Sequence, residues 1–207
     1  MKQGKFITLE GTEGVGKSTN LAAVVETIEA AGVEVVATRE PGGTPIAEEI
    51  RAMLLSVRDE EVAPAAELLL MFAARAQHLE RVIKPALAAG RWVVCDRFTD
   101  ATYAYQGGGR GFDAFHIAKL EGLVHGDLQP DLTLYLDIDP RVAQTRIADR
   151  PHDRIEREQL EFFDRVRAVY LDRAVQSRFR TIDAAQPLAA VTSEVRSVVE
   201  QFLATSS

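Results

Sequence analysis

Short runs of apolar and β-branched residues alternate along the chain with longer stretches whose apolar positions recur at helical spacing. Phe6-Ile7-Thr8-Leu9, Val33 to Ala37, Trp92-Val93-Val94-Cys95, Leu132 to Asp137 and Arg180-Thr181-Ile182 read as strands. Apart from Glu34, the second and third runs lack polar alternation and predict strands buried on both faces. Ser18 to Ala31 reads as a helix closed by Gly32. Further helical patterns cover about Thr44 to Leu55, Pro64 to Ala89, Asp113 to His125, Pro140 to Asp149, Arg157 to Ser177 and Pro187 to Leu203. Strands that alternate with helices predict an α/β fold, a parallel five-stranded sheet with helices on both faces. No repeat, low-complexity tract or linker divides residues 1–207, so one domain is expected. Leu68 to Phe72 is apolar through more than a helical turn and predicts a helix buried all round, in a monomer's centre or a dimer interface.

Composition narrows the function. The 207 residues carry 24 Lys and Arg against 31 Asp and Glu, a net charge of -7, so a broad basic face for nucleic acid is not expected. No apolar stretch approaches a membrane span and Met1 to Lys5 lacks a signal-peptide core, which predicts no membrane association. The single Cys95 cannot form an internal disulfide, and His78, His116, His125 and His152 show no ligand spacing; a cytoplasmic location is expected.

The strongest chemical signal is Gly11-Thr12-Glu13-Gly14-Val15-Gly16-Lys17-Ser18, a full G-x-x-x-x-G-K-[ST] phosphate loop between a predicted strand and a predicted helix. Its glycines let backbone N–H groups curl toward phosphate, and the helix offers its positive dipole end. Lys17 is expected to bridge the β- and γ-phosphates, Ser18 to ligate Mg2+, and Thr19 to extend the ATP site. Asp96-Arg97 follows the third strand, at the carboxyl end of the sheet where open α/β folds bind ligands. Asp96 is expected to hold the metal and Arg97 to reach phosphate oxygens on an acceptor. Arg150 and Arg154 flank Pro151-His152-Asp153 in a polar stretch suited to a mobile lid at about 149–156, against the default of a solvated charge run.

A guanine-nucleotide switch would carry N-K-x-D for its base, yet Asn20 is the only asparagine, and the chain lacks the accessory domains of a motor or transport ATPase. A kinase acting on a small phosphorylated acceptor remains, with a phosphate-loop protein without transfer activity as the alternative from another class.

The order and spacing of further motifs resemble bacterial thymidylate kinases, P-loop nucleoside monophosphate kinases, from about Phe6 to the final helix. They are Thr38-Arg39-Glu40-Pro41-Gly42-Gly43, Asp96-Arg97-Phe98, Ala104-Tyr105-Gln106-Gly107-Gly108-Gly109-Arg110-Gly111, Pro130 to Asp137 and Asp153-Arg154-Ile155-Glu156. The resemblance implies a P-loop NTPase fold, a homodimer, and Mg2+-dependent transfer of the γ-phosphoryl of ATP to dTMP, with dUMP or a guanylate as alternative acceptors. It implies that Arg97 and Arg51 grip the acceptor phosphate, Arg75 bonds the thymine edge, and Thr102 and Gln106 line the base pocket. Glu13 would orient the sugar or its metal, and Arg39, Glu40 and Tyr105 also fall in the acceptor site. Relatives often carry Phe-x-x-x-Arg, the ring stacking on thymine; here Phe72-Ala73-Ala74-Arg75 is one residue short, which leaves Phe72 or Met71 against the base. Thr12 to Val15 include no base, so the lid would supply the extra catalytic arginine, Arg150 or Arg154.

Overall fold

The computed structural model describes residues 3–149 and 151–206. Strands β1 (Phe6–Glu10), β2 (Val35–Arg39), β3 (Trp92–Asp96), β4 (Leu132–Asp137) and β5 (Phe179–Asp183) form one sheet in the order β2-β3-β1-β4-β5. Every pairing is parallel. The helices are α1 (Lys17–Ala30), α2 (Pro45–Leu55), α3 (Pro64–His78), α4 (Lys84–Ala88), α5 (Thr99–Thr102), α6 (Ala114–Val124), α7 (Pro140–Ile147), α8 (Leu160–Arg173) and α9 (Leu188–Ser206).

Alternating side chains divide the core. Ile7, Leu9, Val94 and Leu134 face α1 and α9 with Val24, Ile28, Val195 and Val199, while Phe6, Val93 and Cys95 face the other side with Leu79, Ile83 and Phe98. Each such fully buried aliphatic side chain stabilises the fold by about 1.5–3 kcal/mol. Because β1 lies at the centre with β3 and β4 on either side, the loop after β1 opens at the sheet's topological switch point.

Three sequence expectations need correction. Strand β2 is an edge strand, half-buried to exposed, because only β3 borders it; Val33 precedes it and donates to Ile28 O of α1. The Leu68 to Phe72 stretch is not buried all round within one chain, since Leu69 is 56% exposed, which removes the monomer's-centre alternative and leaves that of a dimer interface. Nor is the helix between Pro64 and Ala89 uniform: a π-helical turn, Leu79–Ile83, joins α3 to α4. Pro85 lacks an N–H, and its ring crowds the carbonyl four residues back, which a widened turn accommodates.

One element escaped the pattern. Helix α5 continues as a π-helical segment, Tyr103–Gly109, through a glycine run that falls outside the helical patterns given above. These glycines serve packing: a Cβ on Gly109 would lie 2.4 Å from the Phe162 ring, and one on Gly108 would lie 2.8 Å from Arg165 O. Helix α8 therefore sits directly on this backbone.

Candidate active site

The loop between β1 and α1 is shaped by glycines where other residues cannot stand. Gly14 has φ 77° and a Cβ there would lie 2.5 Å from Ala143 O of α7. Gly16, at φ 86°, starts α1 in the left-handed conformation without a side-chain cap, so the first N–H groups of a 14-residue helix remain available to an anion. Lys17 Nζ folds back across the loop, donating to Thr12 O at 2.8 Å and Gly11 O at 3.3 Å. Ser18 and Thr19 are exposed at the head of α1.

Asp96 ends β3 and faces the same cavity of about 450 Å³ as Lys17 and Ser18. Its Oδ1 is buried and has no hydrogen-bond partner among the described residues. An orphaned carboxylate oxygen and a serine hydroxyl on one cavity suit a hard cation such as Mg2+, which keeps much of its shell as water and phosphate oxygen. Among the described residues no cluster of three or more His, Cys, Asp or Glu offers another metal site.

Arg97 has φ 68°, a conformation that costs a non-glycine residue about 1–3 kcal/mol. Two bonds hold it: Arg97 N–H to Leu9 O at 2.9 Å and Phe98 N–H to Glu10 Oε1 at 2.7 Å. The turn aims the guanidinium between the phosphate cavity and a second cavity that both Arg97 and Arg51 line. Arg97 Nη2 donates to Glu13 Oε1 at 2.7 Å and Tyr105 Oη at 3.0 Å, and Nη1 to Tyr170 Oη at 3.3 Å.

The second cavity is walled by Met71, Arg75, Thr102, Tyr105 and Gln106, and bordered by Asp153 and Ile155 of the segment between α7 and α8. Arg75 is 3% exposed. Its Nε donates to Glu40 Oε2 at 2.6 Å, and its Nη2 to Phe98 O at 3.2 Å and Thr102 Oγ1 at 3.0 Å. Its Nη1 is buried with no partner among the described residues. His78 steadies Glu40 from behind at 3.0 Å.

The family model described as thymidylate kinase matches residues 9–195. The chain belongs to the thymidylate kinase family. It is 58% identical to a thymidylate kinase of Chromohalobacter salexigens, with all of both chains covered. To one of Teredinibacter turnerae it is 56% identical, over 97% of this chain and 99% of the relative. To one of Alcanivorax borkumensis it is 54% identical, over 97% and 98%.

Seen against the thymidylate kinase pattern, most of the expected residues line the two cavities, while Arg39, Phe72 and Arg154 do not. Arg39 turns outward to Glu48 at 2.9 Å, half exposed. Phe72 is buried below the second cavity, its ring 4.9 Å from the Arg75 guanidinium, while Met71 lines the wall. Arg154 reaches away from the phosphate loop: its N–H donates to Leu55 O at 3.1 Å, its Nε to Leu54 O at 2.8 Å and its Nη2 to Glu67 at 2.5 Å. Arg150 lies outside the described residues.

Two residues near the phosphate loop were not among the expected site. Arg146 donates to Ala184 O at 2.8 Å and borders both the phosphate cavity and a neighbouring one of about 470 Å³ with Gln186 and Pro187. A basic residue in the last turn of a helix was its only signal. Glu10 is wholly buried and accepts from Phe98 N–H and Tyr170 Oη. Only its place before Gly11 in an apolar strand marked it.

Charge is tightly matched. Burial works against the Glu13 carboxylate, but Arg97 and then Lys17 hold it below the usual range. Burial, aided by Asp100, pushes Glu10 up to about 8. Burial, reinforced by Arg97, pushes Lys17 down to about 8, against the pull of Asp96, Glu13 and Glu10.

Proposed function

We propose that the chain transfers the γ-phosphoryl of ATP to dTMP, giving dTDP and ADP, with ATP at the phosphate loop and dTMP in the cavity walled by Arg75 and Gln106. The observation that carries the reading is the Arg75 guanidinium, whose Nη1 is buried in that wall without a partner, one arginine away from a phosphate loop. A guanidinium only donates, so it suits the thymine O4 carbonyl and opposes the cytosine amino group.

The acceptor phosphate has a second pKa near ~6 and is mostly a dianion at neutral pH, so no general base is required. The work of the site is to hold two repelling anions in line and to neutralise charge on the transferring group. Arg97 and Arg51 border both cavities and suit the acceptor phosphate; Lys17, the loop N–H groups and Arg146 suit the donor. Ser18 and Asp96 would hold Mg2+, which when bound supplies charge neutralisation on the phosphates. Glu13 and Tyr105 fix Arg97 rather than touching phosphate in the free protein. The lid segment, docked through Arg154 on α2 and α3, lies over both cavities through Asp153 and helps exclude water.

Steady-state rates with dTMP and dCMP test the assignment of Arg75. We expect kcat/KM for dTMP to exceed that for dCMP by about 10³-fold or more, since a mismatched buried donor gives large discrimination. Equal efficiency would remove Arg75 from this role.

A homodimer is part of the proposal. Leu69 of α3 and Phe115 and Leu123 of the adjoining α6 are 56%, 60% and 80% exposed, an apolar surface on helices that pack together. Sedimentation should give twice the monomer mass at micromolar concentration; a monomer alone contradicts it. No helix among the described residues is long and apolar enough to cross a membrane.

A further inference from the structure

Glu67 stands in the first turn of α3, 1% exposed, behind the wall of the acceptor cavity. Three side chains from distant segments converge on its carboxylate. Gln106 Nε2 donates to Oε1 at 2.7 Å, Arg110 Nε to Oε1 at 3.3 Å and Arg154 Nη2 to Oε2 at 2.5 Å. Burial alone would favour the neutral acid, yet these donors, Gln106 foremost, hold the carboxyl below its usual range. Glu67 is therefore ionised at neutral pH and can only accept hydrogen bonds.

That fixes an orientation which an amide by itself leaves open. The Gln106 atom 2.7 Å from an acceptor-only carboxylate has to be its nitrogen, which leaves the carbonyl oxygen as the end of the amide not engaged by Glu67, on a residue that lines the cavity. The same wall carries the unpartnered Arg75 Nη1.

We infer that Glu67 is a specificity-positioning residue: by capturing the amide nitrogen of Gln106 it sets the Gln106 carbonyl toward the acceptor base, beside the donor of Arg75. The inference rests on the reading of this cavity as the base site. A donor next to an acceptor matches a pyrimidine carrying a carbonyl at C4 and an N–H at N3, as thymine and uracil do. Cytosine presents the reverse at both atoms, an amino group at C4 and a bare N3, so it meets two mismatches rather than one. Without Glu67 the Gln106 amide can turn over and offer its NH2 to N3, which removes one of them.

Two substitutions separate this role from simple support of the fold. Glu67→Gln replaces an acceptor-only group with one that can also donate, so Gln106 is free to flip. We expect the dTMP to dCMP ratio of kcat/KM to fall about tenfold or more, with KM for dTMP rising and KM for ATP changing less than about threefold. Arg110→Met removes one ion pair from Glu67 but leaves its grip on Gln106, and should keep the wild-type ratio. A Glu67→Gln protein that folds and keeps the wild-type ratio overturns the inference. So does an equal loss of ratio in Arg110→Met, which would mean that loosening the cluster is enough. If Glu67→Gln does not fold, the wild-type protein still decides: the N3 imino proton of ¹⁵N-labelled dTMP should shift downfield and exchange slowly when bound. An imino proton that is unshifted and fast-exchanging contradicts a carbonyl aimed at N3. Failure of the wild-type protein to phosphorylate dTMP at all would instead sink the reading of the cavity, whatever the variants do.

Discussion

Arg97→Ala is expected to lower kcat/KM for dTMP by about 10³-fold while ATP binding changes little, as measured by steady-state kinetics and by titration with a non-hydrolysable ATP analogue. Among the described residues Arg97 is the one cation whose backbone is held in a strained conformation, and its guanidinium stands between the two cavities. Its place is determined by Leu9 O, by the Glu10 grip on the next residue and by three hydrogen bonds to Glu13, Tyr105 and Tyr170. Such preorganisation is what allows a charge to act on the transition state without first reorganising. Removal also leaves Glu13 without its main counter-charge, a carboxylate then facing the incoming phosphates. Arg97→Lys should recover only part of the loss, because one ammonium cannot reproduce the fork that spans Glu13, Tyr105 and Tyr170. Near-normal turnover in Arg97→Ala would move the acceptor phosphate away from Arg97.

Lys17→Met should lower turnover by about 10²–10³-fold without destabilising the free protein. Among the described residues the Lys17 ammonium donates to two backbone carbonyls, and burial beside Arg97 depresses it to about 8 from an ordinary 10.5 despite nearby carboxylates. A cation whose pKa falls on folding opposes folding below that folded value, and the penalty fades as pH rises from about 8 toward the unfolded value. The melting temperature of Lys17→Met at pH 7 should therefore equal or exceed that of the wild type, and the difference should shrink by pH 10. Bound triphosphate raises the pKa again, so ATP binding near pH 9 should take up a proton, seen by calorimetry in buffers of different ionisation enthalpy. A variant clearly less stable than wild type at pH 7 would show Lys17 to be structural.

What could be read in the sequence was what neighbours in sequence determine. The phosphate loop is contiguous, and its backbone geometry follows from glycines at 14 and 16. The strands were legible because parallel pairing buries short apolar runs, and the edge position of β2 was not, because it depends on which strands border it. The helix through Gly107 to Gly109 was hidden because its glycines answer to α8, more than fifty residues further on. Side-chain destinations were least legible. Arg154 occupies a lid-like stretch, but its guanidinium is claimed by Glu67, 87 positions away. Phe72 and Met71 differ by one helical step, enough to send the ring under Arg75 and the thioether into the cavity.

The measurement closest to the central claim is product analysis by chromatography after incubation with MgATP and, separately, dTMP, dUMP, dCMP, dGMP and GMP. The account predicts dTDP and ADP in equal amounts, with dTMP used more efficiently than any other acceptor. ATP binding without any diphosphate product, or a preference for a guanylate or for dCMP, would contradict it.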